Sequence, residues 1–335
     1  MKIAFFGILD QEKKDFYKNN LADHELLFFD ACLTDSIINQ KFDYEIISIF
    51  VGCKVTPKTI EAIPNLKFIA IRSTGFDNVD LNYTKQKNIL ISNVPSYGSH
   101  TVAEFTFGLI LSLSRKIPEA VYRLKYQKDF DYHDLRGFDL NQKTLGIIGT
   151  GKIGTNVIKI AKGFGIKVLA FDLFQNENLA KELEFEYLSL EQLLKQSDII
   201  SLHVPYSEKT HHLLNRKNIF MIKNGAFLIN TARGGLIETQ ALFEALTKKH
   251  LSGAALDVLE GELELKEDVD LLSENKMPDE QFKNLLENHI LINLDKVLVT
   301  PHMAFYTKEA EEAIMQTTVE NINKFLENNP QNLVN

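Results

Sequence analysis

Gly149-Thr150-Gly151-Lys152-Ile153-Gly154 is the stretch whose reading decides the fold. It directly follows an apolar run, Leu145-Gly146-Ile147-Ile148, and opens a helix-like stretch from Thr155 to Lys162. A second apolar run, Lys167-Val168-Leu169-Ala170-Phe171, comes next and ends in Asp172. The order is strand, glycine turn, helix, strand, acid. Gly149 permits a tight turn, Gly151 lets the backbone approach a pyrophosphate, and Gly154 lets the helix pack close to its strand. The helix N-terminus offers unpaired N–H groups and a positive dipole end to phosphates. Asp172 falls near the spacing of about 20 residues expected of a carboxylate that holds ribose hydroxyls. A lone glycine triplet is a weak sign; with both strands and the acid in place it reads as a dinucleotide site. The competing reading is a glycine-rich turn that only tightens a strand–helix corner. The residues after the acid, Leu173-Phe174-Gln175-Asn176-Glu177, hold no arginine or lysine to offset a 2′-phosphate, so NADH is expected over NADPH.

Outward from this unit the chain alternates strand and helix signals, which implies parallel sheets covered on both faces. On the N-terminal side, apolar runs stand at Lys2–Phe6, Glu25–Phe29, Glu45–Phe50, Lys67–Ile71 and Ile89–Ser92. Gly7 follows the first of them without the three-glycine pattern, so this part reads as an α/β domain that does not bind the dinucleotide. An apolar helix candidate, His100 to Lys116, is expected to cross between the domains, since both its faces are largely apolar. With Leu145–Ile148, the runs Val168–Phe171, Asp198–His203, Ala226–Asn230, Gly253–Asp257 and Val297–Thr300 beyond the glycine turn predict six or more parallel strands. The acidic stretch Glu260 to Asn288 reads as an insertion over the sheet edge, with two Leu-rich helical pieces. The last helix, Thr307 to Glu327, is expected to return to the first domain. The predicted fold is α/β: two doubly wound parallel-sheet domains with a cleft between them. A flavodoxin-like substrate domain takes residues 1–98 and 302–335, and a Rossmann NAD-binding domain takes residues 99–301.

Composition agrees. A length of 335 residues suits two domains, and a 44% hydrophobic fraction fills two cores. A net charge of −8 without a basic stripe argues against nucleic acid as a partner. No run of about 18 apolar residues offers a membrane span, and the short N-terminal run reads as a first strand rather than a signal peptide. Two cysteines, Cys32 and Cys53, are expected as free thiols in a reducing compartment, here the cytoplasm. Without a CxxC spacing they suggest no metal site.

Ligands in open α/β sheets bind outside the carboxyl ends of the strands. There the chain places Arg233 after the strand ending at Asn230, Asp257 at the end of the next strand, Glu262 shortly after it, and His302 just past Pro301. Taken singly, Arg233 could cap a helix, Glu262 could be a solvated acid, and His302 could be a buried, satisfied ring. Together a cation, two acids and an imidazole form a candidate site. His203, before a proline at a strand end, is given a structural or cofactor-adjacent role. His100, His211, His212 and His289 are expected on helix ends or surfaces.

Ser73-Thr74-Gly75-Phe76-Asp77-Asn78-Val79-Asp80, Asn93-Val94-Pro95-Ser96-Tyr97-Gly98, Asn230-Thr231-Ala232-Arg233-Gly234-Gly235 and Thr300-Pro301-His302 carry a resemblance. With them the chain resembles the D-isomer-specific 2-hydroxyacid dehydrogenases over nearly its whole length, and among these it is most similar to the D-lactate dehydrogenases. The resemblance implies that Arg233 binds the substrate carboxylate and polarises the carbonyl, a double task suited to a planar guanidinium. It implies that His302 donates a proton during reduction and that Glu262 accepts a hydrogen bond from the other ring nitrogen. Thr74 and Gly75 would bind the carboxylate through their backbone, and Tyr97 and Phe305 would line the pocket. Lys152, Ile153, Asp172, Val204, Pro205, Thr210, Thr231 and Ala232 would contact NAD, and Asp257 the nicotinamide amide. One departure stands out. Some lactate dehydrogenases carry a tyrosine after the third strand, where this chain has Phe50-Val51-Gly52-Cys53. The resemblance makes pyruvate and D-lactate the expected substrate pair, while the missing hydroxyl leaves room for the alternative, a bulkier branched-chain or aromatic 2-oxo acid. A nucleotide-sensing, corepressor-like binding protein is a further alternative, and a homodimer or higher homo-oligomer is expected.

Overall fold

The computed structural model describes residues 1–35, 42–262 and 279–335. The chain divides into two compact units, Met1–Tyr97 with Tyr306–Asn335, and Gly98–Phe305.

The first unit is built on β1 (Lys2–Phe6), β2 (Glu25–Phe29), β3 (Ile46–Ile49), β4 (Phe68–Ile71) and β5 (Leu90–Ser92). All pair in parallel, in the order β2-β1-β3-β4-β5, the flavodoxin-like arrangement. Strands buried on both faces read as unbroken apolar runs, which is why they were legible. The two faces feed different cores. Ala4, Phe6, Ile47, Ile49, Ile69 and Ile71 pack on one side, and Ile3, Phe5, Ile46 and Phe68 on the other. Each Ile or Phe side chain among them contributes about 1.5–3 kcal/mol when fully buried. The C-terminal helix Lys308–Leu326 closes the second face: Val319 and Ile322 join that core, and Phe325 stacks on Phe68 at 4.4 Å. The chain's return to the first domain is thus observed.

The second unit is built on β6 (Thr144–Ile148), β7 (Lys167–Phe171), β8 (Glu186–Tyr187), β9 (Ile199–Leu202), β10 (Phe227–Asn230), β11 (Gly253–Leu256) and β12 (Val297–Val299). The order is β12-β11-β10-β9-β6-β7-β8, again all parallel, so the direction of winding reverses between β6 and β9. That switch point is where open α/β sheets bind ligands. Period-two alternation splits the side chains: Ile200, Leu228 and Ala254 enter one core, and Ile199, Ile229 and Ala255 the other. The apolar helix, observed as Ser99–Arg115, lies wholly in this unit rather than crossing between domains. Its Ala103, Phe107 and Ile110 pack with Val157, Ile158 and Ala161 of the helix Lys152–Gly163. Of the acidic stretch, residues 263–278 lie outside the described residues. Its end forms the helix Asp279–Ile292, anchored by buried Leu285 and Leu291.

Candidate active site

The three glycines of the turn after β6 do three different things. Gly149 has φ +101°, and a Cβ on it would stand 2.7 Å from the His203 carbonyl carbon and 2.8 Å from Val204 Cγ1. The loop leaving β9 therefore packs directly on the turn. A Cβ on Gly154 would stand 2.0 Å from the Gly149 carbonyl oxygen. Around Gly151 there is no atom within 4 Å of where a Cβ would be. The open side of the turn is thus at the middle glycine, beside the N-terminus of the helix Lys152–Gly163. That helix has no side-chain cap and no acid in its first turn, so no carboxylate there offsets its positive dipole end, which suits a phosphate. Asp172, half-buried just after β7, accepts from Thr150 N at 2.7 Å, Thr150 Oγ1 at 3.1 Å and Phe174 N at 2.9 Å. The acid both closes the glycine turn and stands beside it. These features fit a dinucleotide.

Arg233 sits on a turn after β10 that Asn230 ties together. Asn230 Nδ2 donates to Arg233 O at 2.8 Å, and its Oδ1 accepts from Ala232 N at 3.0 Å. Two glycines let this turn touch its neighbours. A Cβ on Gly234 would be 2.0 Å from the Leu259 carbonyl carbon, and one on Gly235 would be 2.7 Å from the Tyr206 ring. The Arg233 turn is therefore pressed between the loop after β9 and the segment carrying Glu262. Thr231 shares a hydroxyl contact of 3.1 Å with Thr106.

The imidazole is held from two directions. His302 Nδ1 lies 2.6 Å from Glu262 Oε1. His302 has φ +53°, a left-handed conformation that a side-chain-bearing residue adopts at a cost. Asp257 holds the backbone there. It is 1% exposed, and its carboxylate accepts from Thr300 Oγ1 at 2.5 Å, Met303 N at 2.9 Å and Ala304 N at 2.8 Å. Its own carbonyl accepts from His302 N at 2.9 Å. These bonds keep residues 302–305 in the second unit, so the division falls at Tyr306 rather than at residue 302. Burial pushes the Asp257 carboxyl up from its ordinary range, against the pull of those donors and of His302. The phenyl ring of Phe305 lies edge-on to His302, with centroids 6.4 Å apart.

The remaining residues read from the sequence are placed as follows. Lys152 is exposed and Ile153 half-buried at the start of the glycine-turn helix. Pro205 O accepts from Thr210 Oγ1 at 2.8 Å, which folds the loop after β9 back on itself. His203 contacts Ser201 Oγ through Nε2 at 2.9 Å, while its Nδ1 is sealed from solvent without a hydrogen-bond partner. Burial of the ring pulls its pKa down to about 3, so it is neutral at physiological pH. In the first unit, Thr74 Oγ1 donates to Val94 O at 2.8 Å and Thr74 O accepts from Asn93 Nδ2 at 2.7 Å, beside Gly75. Tyr97 is half-buried where that unit ends. Sequence reasoning gave no role to Asn230, Thr150 or Thr300. An Asn at a strand end before a turn was the available signal, because its side chain bonds nearby backbone.

An open glycine turn and a carboxylate-held imidazole thus belong to one parallel-sheet unit, which has the build of a dinucleotide-binding domain. The chain belongs to the D-isomer specific 2-hydroxyacid dehydrogenase family, whose NAD-binding domain matches residues 107–304. It is 37% identical over 329 residues to the D-lactate dehydrogenase of Escherichia coli K12, covering 96% of each chain. It is 39% identical over 330 residues to an aromatic 2-oxoacid reductase of Clostridium sporogenes, covering 97% of this chain and 96% of that one. Among solved structures, the D-lactate dehydrogenase of Aquifex aeolicus complexed with NAD and lactic acid matches with a TM-score of 0.86 and 37% identity. That match covers 98% of this chain and 96% of the other. The protein is an NAD-dependent dehydrogenase of this family.

Proposed function

We propose that the enzyme interconverts a small 2-oxo acid and its D-2-hydroxy acid, with pyruvate and D-lactate as the principal pair. The observation that carries this reading is the 2.6 Å contact between His302 Nδ1 and Glu262 Oε1. With Nδ1 engaged by the carboxylate, Nε2 is the nitrogen that can give a proton to a carbonyl oxygen and take it back in the reverse direction. Glu262 orients the ring through that contact. Arg233 is assigned the substrate carboxylate, which its planar fork can bind with two parallel bonds. Thr74 and Gly75 are assigned further backbone bonds to that carboxylate, and Tyr97 and Phe305 the lining of the substrate's side chain. Bound NADH supplies the hydride. Gly151 and the first turn of its helix hold the pyrophosphate, Asp172 the adenosine ribose, Val204, Pro205, Thr210, Thr231 and Ala232 the rest of the cofactor, and Asp257 the nicotinamide amide.

A bulkier 2-oxo acid is the second reading. It is favoured by the likeness to aromatic 2-oxoacid reductases and by the absence of a tyrosine in Phe50-Val51-Gly52-Cys53. NADH with a panel of pyruvate, 4-methyl-2-oxopentanoate and phenylpyruvate separates the two. The highest kcat/KM for pyruvate, with the D-isomer as product, supports the first reading; a preference for phenylpyruvate of about tenfold or more, worth 1.4 kcal/mol in the transition state, sinks it. We further propose a cytoplasmic homo-oligomer, most simply a dimer. No described helix is long and apolar enough to cross a membrane. The segment after the apolar helix exposes Ile117, Val121, Tyr122, Tyr126, Phe130 and Tyr132, an apolar concentration of the kind that a second copy covers.

A further inference from the structure

His211 and His212, read from the sequence as residues of helix ends or surfaces, do not point apart as neighbouring side chains on an extended chain would. The backbone of His212 is left-handed, with φ +48°, and the two imidazoles lie face to face with centroids 3.7 Å apart. Holding a histidine in that conformation costs free energy, and the local result is to gather two ring nitrogens on one side of the loop. Glu260 faces them. Its Oε1 lies 2.7 Å from His212 Nε2, and one potential ligand atom from each of the three residues lies within 4.8 Å of the others.

Each end of this cluster is braced by a second group. Tyr206 Oη meets His211 Nδ1 at 3.1 Å, and Thr239 Oγ1 donates to Glu260 Oε2 at 2.9 Å. Outer-shell partners of this kind fix ring tautomer and carboxylate orientation at metal centres. Two imidazoles and a carboxylate, with solvent access through exposed His211, are a donor set for zinc and its neighbours, which leaves further positions for water. Metal–ligand bonds of about 2.0–2.2 Å require that the His212–Glu260 contact open and that the His211 ring turn out of its stack on His212 and close in, so that both ring planes meet at the ion.

We propose that His211, His212 and Glu260 form a binding site for one divalent transition-metal ion of the zinc class. The ion would fasten the loop after β9 to the segment that carries Glu262, two residues beyond its own carboxylate ligand. The site is separate from the proton-transfer pair, and the proposal does not depend on which 2-oxo acid is reduced.

The full chain, stripped of metal by a chelator, is titrated with Co2+ while the visible d–d absorption is followed, and with Zn2+ by calorimetry. One ion per chain is expected, with an intense low-coordinate Co2+ spectrum. His211→Gln and His212→Gln should each remove that spectrum, while Tyr206→Phe should weaken binding by about 10–100-fold, as loss of an outer-shell partner does. Unchanged metal-free melting temperatures in these variants show that the loss is not one of folding. No binding at millimolar Co2+ overturns the proposal. So does binding that survives in the His211→Gln/His212→Gln double variant, including binding that vanishes on alkylation of Cys32 and Cys53.

Discussion

The two sheets begin alike and are put to different uses. After β1, Gly7 N donates to Phe29 O at 2.9 Å; after β6, Gly149 N donates to Phe171 O at 2.8 Å. Both glycines have positive φ, +70° and +101°. In the first unit the turn is filled. A Cβ on Gly7 would stand 3.2 Å from Cys32 Sγ, and buried Arg72 donates through Nη2 to Phe6 O at 2.5 Å. The hydrogen bond from Cys32 holds the neighbouring Cys53 thiol down to about 7, and both cysteines are free thiols, as expected. The helix that follows, Gln11–Asn20, is capped by its own Asp10, which accepts from Glu12 N at 2.7 Å and Lys13 N at 3.4 Å, and Glu12 adds a charge to the first turn. An incoming phosphate would meet two acids there. In the second unit the helix start is uncapped and the space beside Gly151 is open. A parallel sheet and a glycine turn are therefore common to both units; what sets the second apart is a helix start without a side-chain cap or acid, beside an open glycine.

That contrast can be broken most forcefully at Gly151. Its backbone, φ −64° and ψ −167°, suits any residue, so Gly151→Ala should leave the melting temperature without cofactor unchanged. The added methyl occupies the space beside the pyrophosphate, and NADH affinity should fall about 100-fold, or 2.7 kcal/mol. A variant that binds NADH normally, by fluorescence titration, would move the cradle elsewhere. Asp172→Ala sharpens the same site from the ribose side. Loss of hydrogen bonds to a charged group should weaken NADH by about 10–100-fold and narrow the preference over NADPH. Equal kcat/KM for the two cofactors in the wild type would show that this acid does not face the ribose. The smallest effect belongs to the filled turn. Gly7→Ala forces a side chain into the left-handed region against Cys32, which should cost about 1–2 kcal/mol in chemical denaturation. NADH affinity should not change; if it does, the first turn is not an inert counterpart of the second.

Eleven of these strands could be read in advance because each carries an apolar run, as strands buried on both faces do; the edge strands β2 and β12 are only half-buried but keep the same apolar character. β8 could not: Glu186-Tyr187 is two residues long, half polar, and defined only by its pairing with Leu169 and Ala170. The site showed the same division. Arg233, Glu262 and His302 were legible as chemical types at strand ends, and the glycine turn as a spacing. The bonds that shape the His302 loop were not, because Asp257 reaches Thr300, Met303 and Ala304 more than 40 residues later in the chain. Nothing in a sequence marks that a carboxylate will be enclosed by three donors from so far away. The facing of His211 and His212 was equally hidden, since it follows from one left-handed backbone angle.

In the proposed mechanism, His302, held by Glu262, moves the proton while the glycine turn independently holds the cofactor. Its most direct test is His302→Ala, assayed for pyruvate reduction from pH 5 to 9 alongside NADH fluorescence titration. Turnover should fall about 10²–10⁴-fold, the typical contribution of a positioned general acid, with the NADH dissociation constant unchanged. Near-wild-type turnover across that range would contradict it.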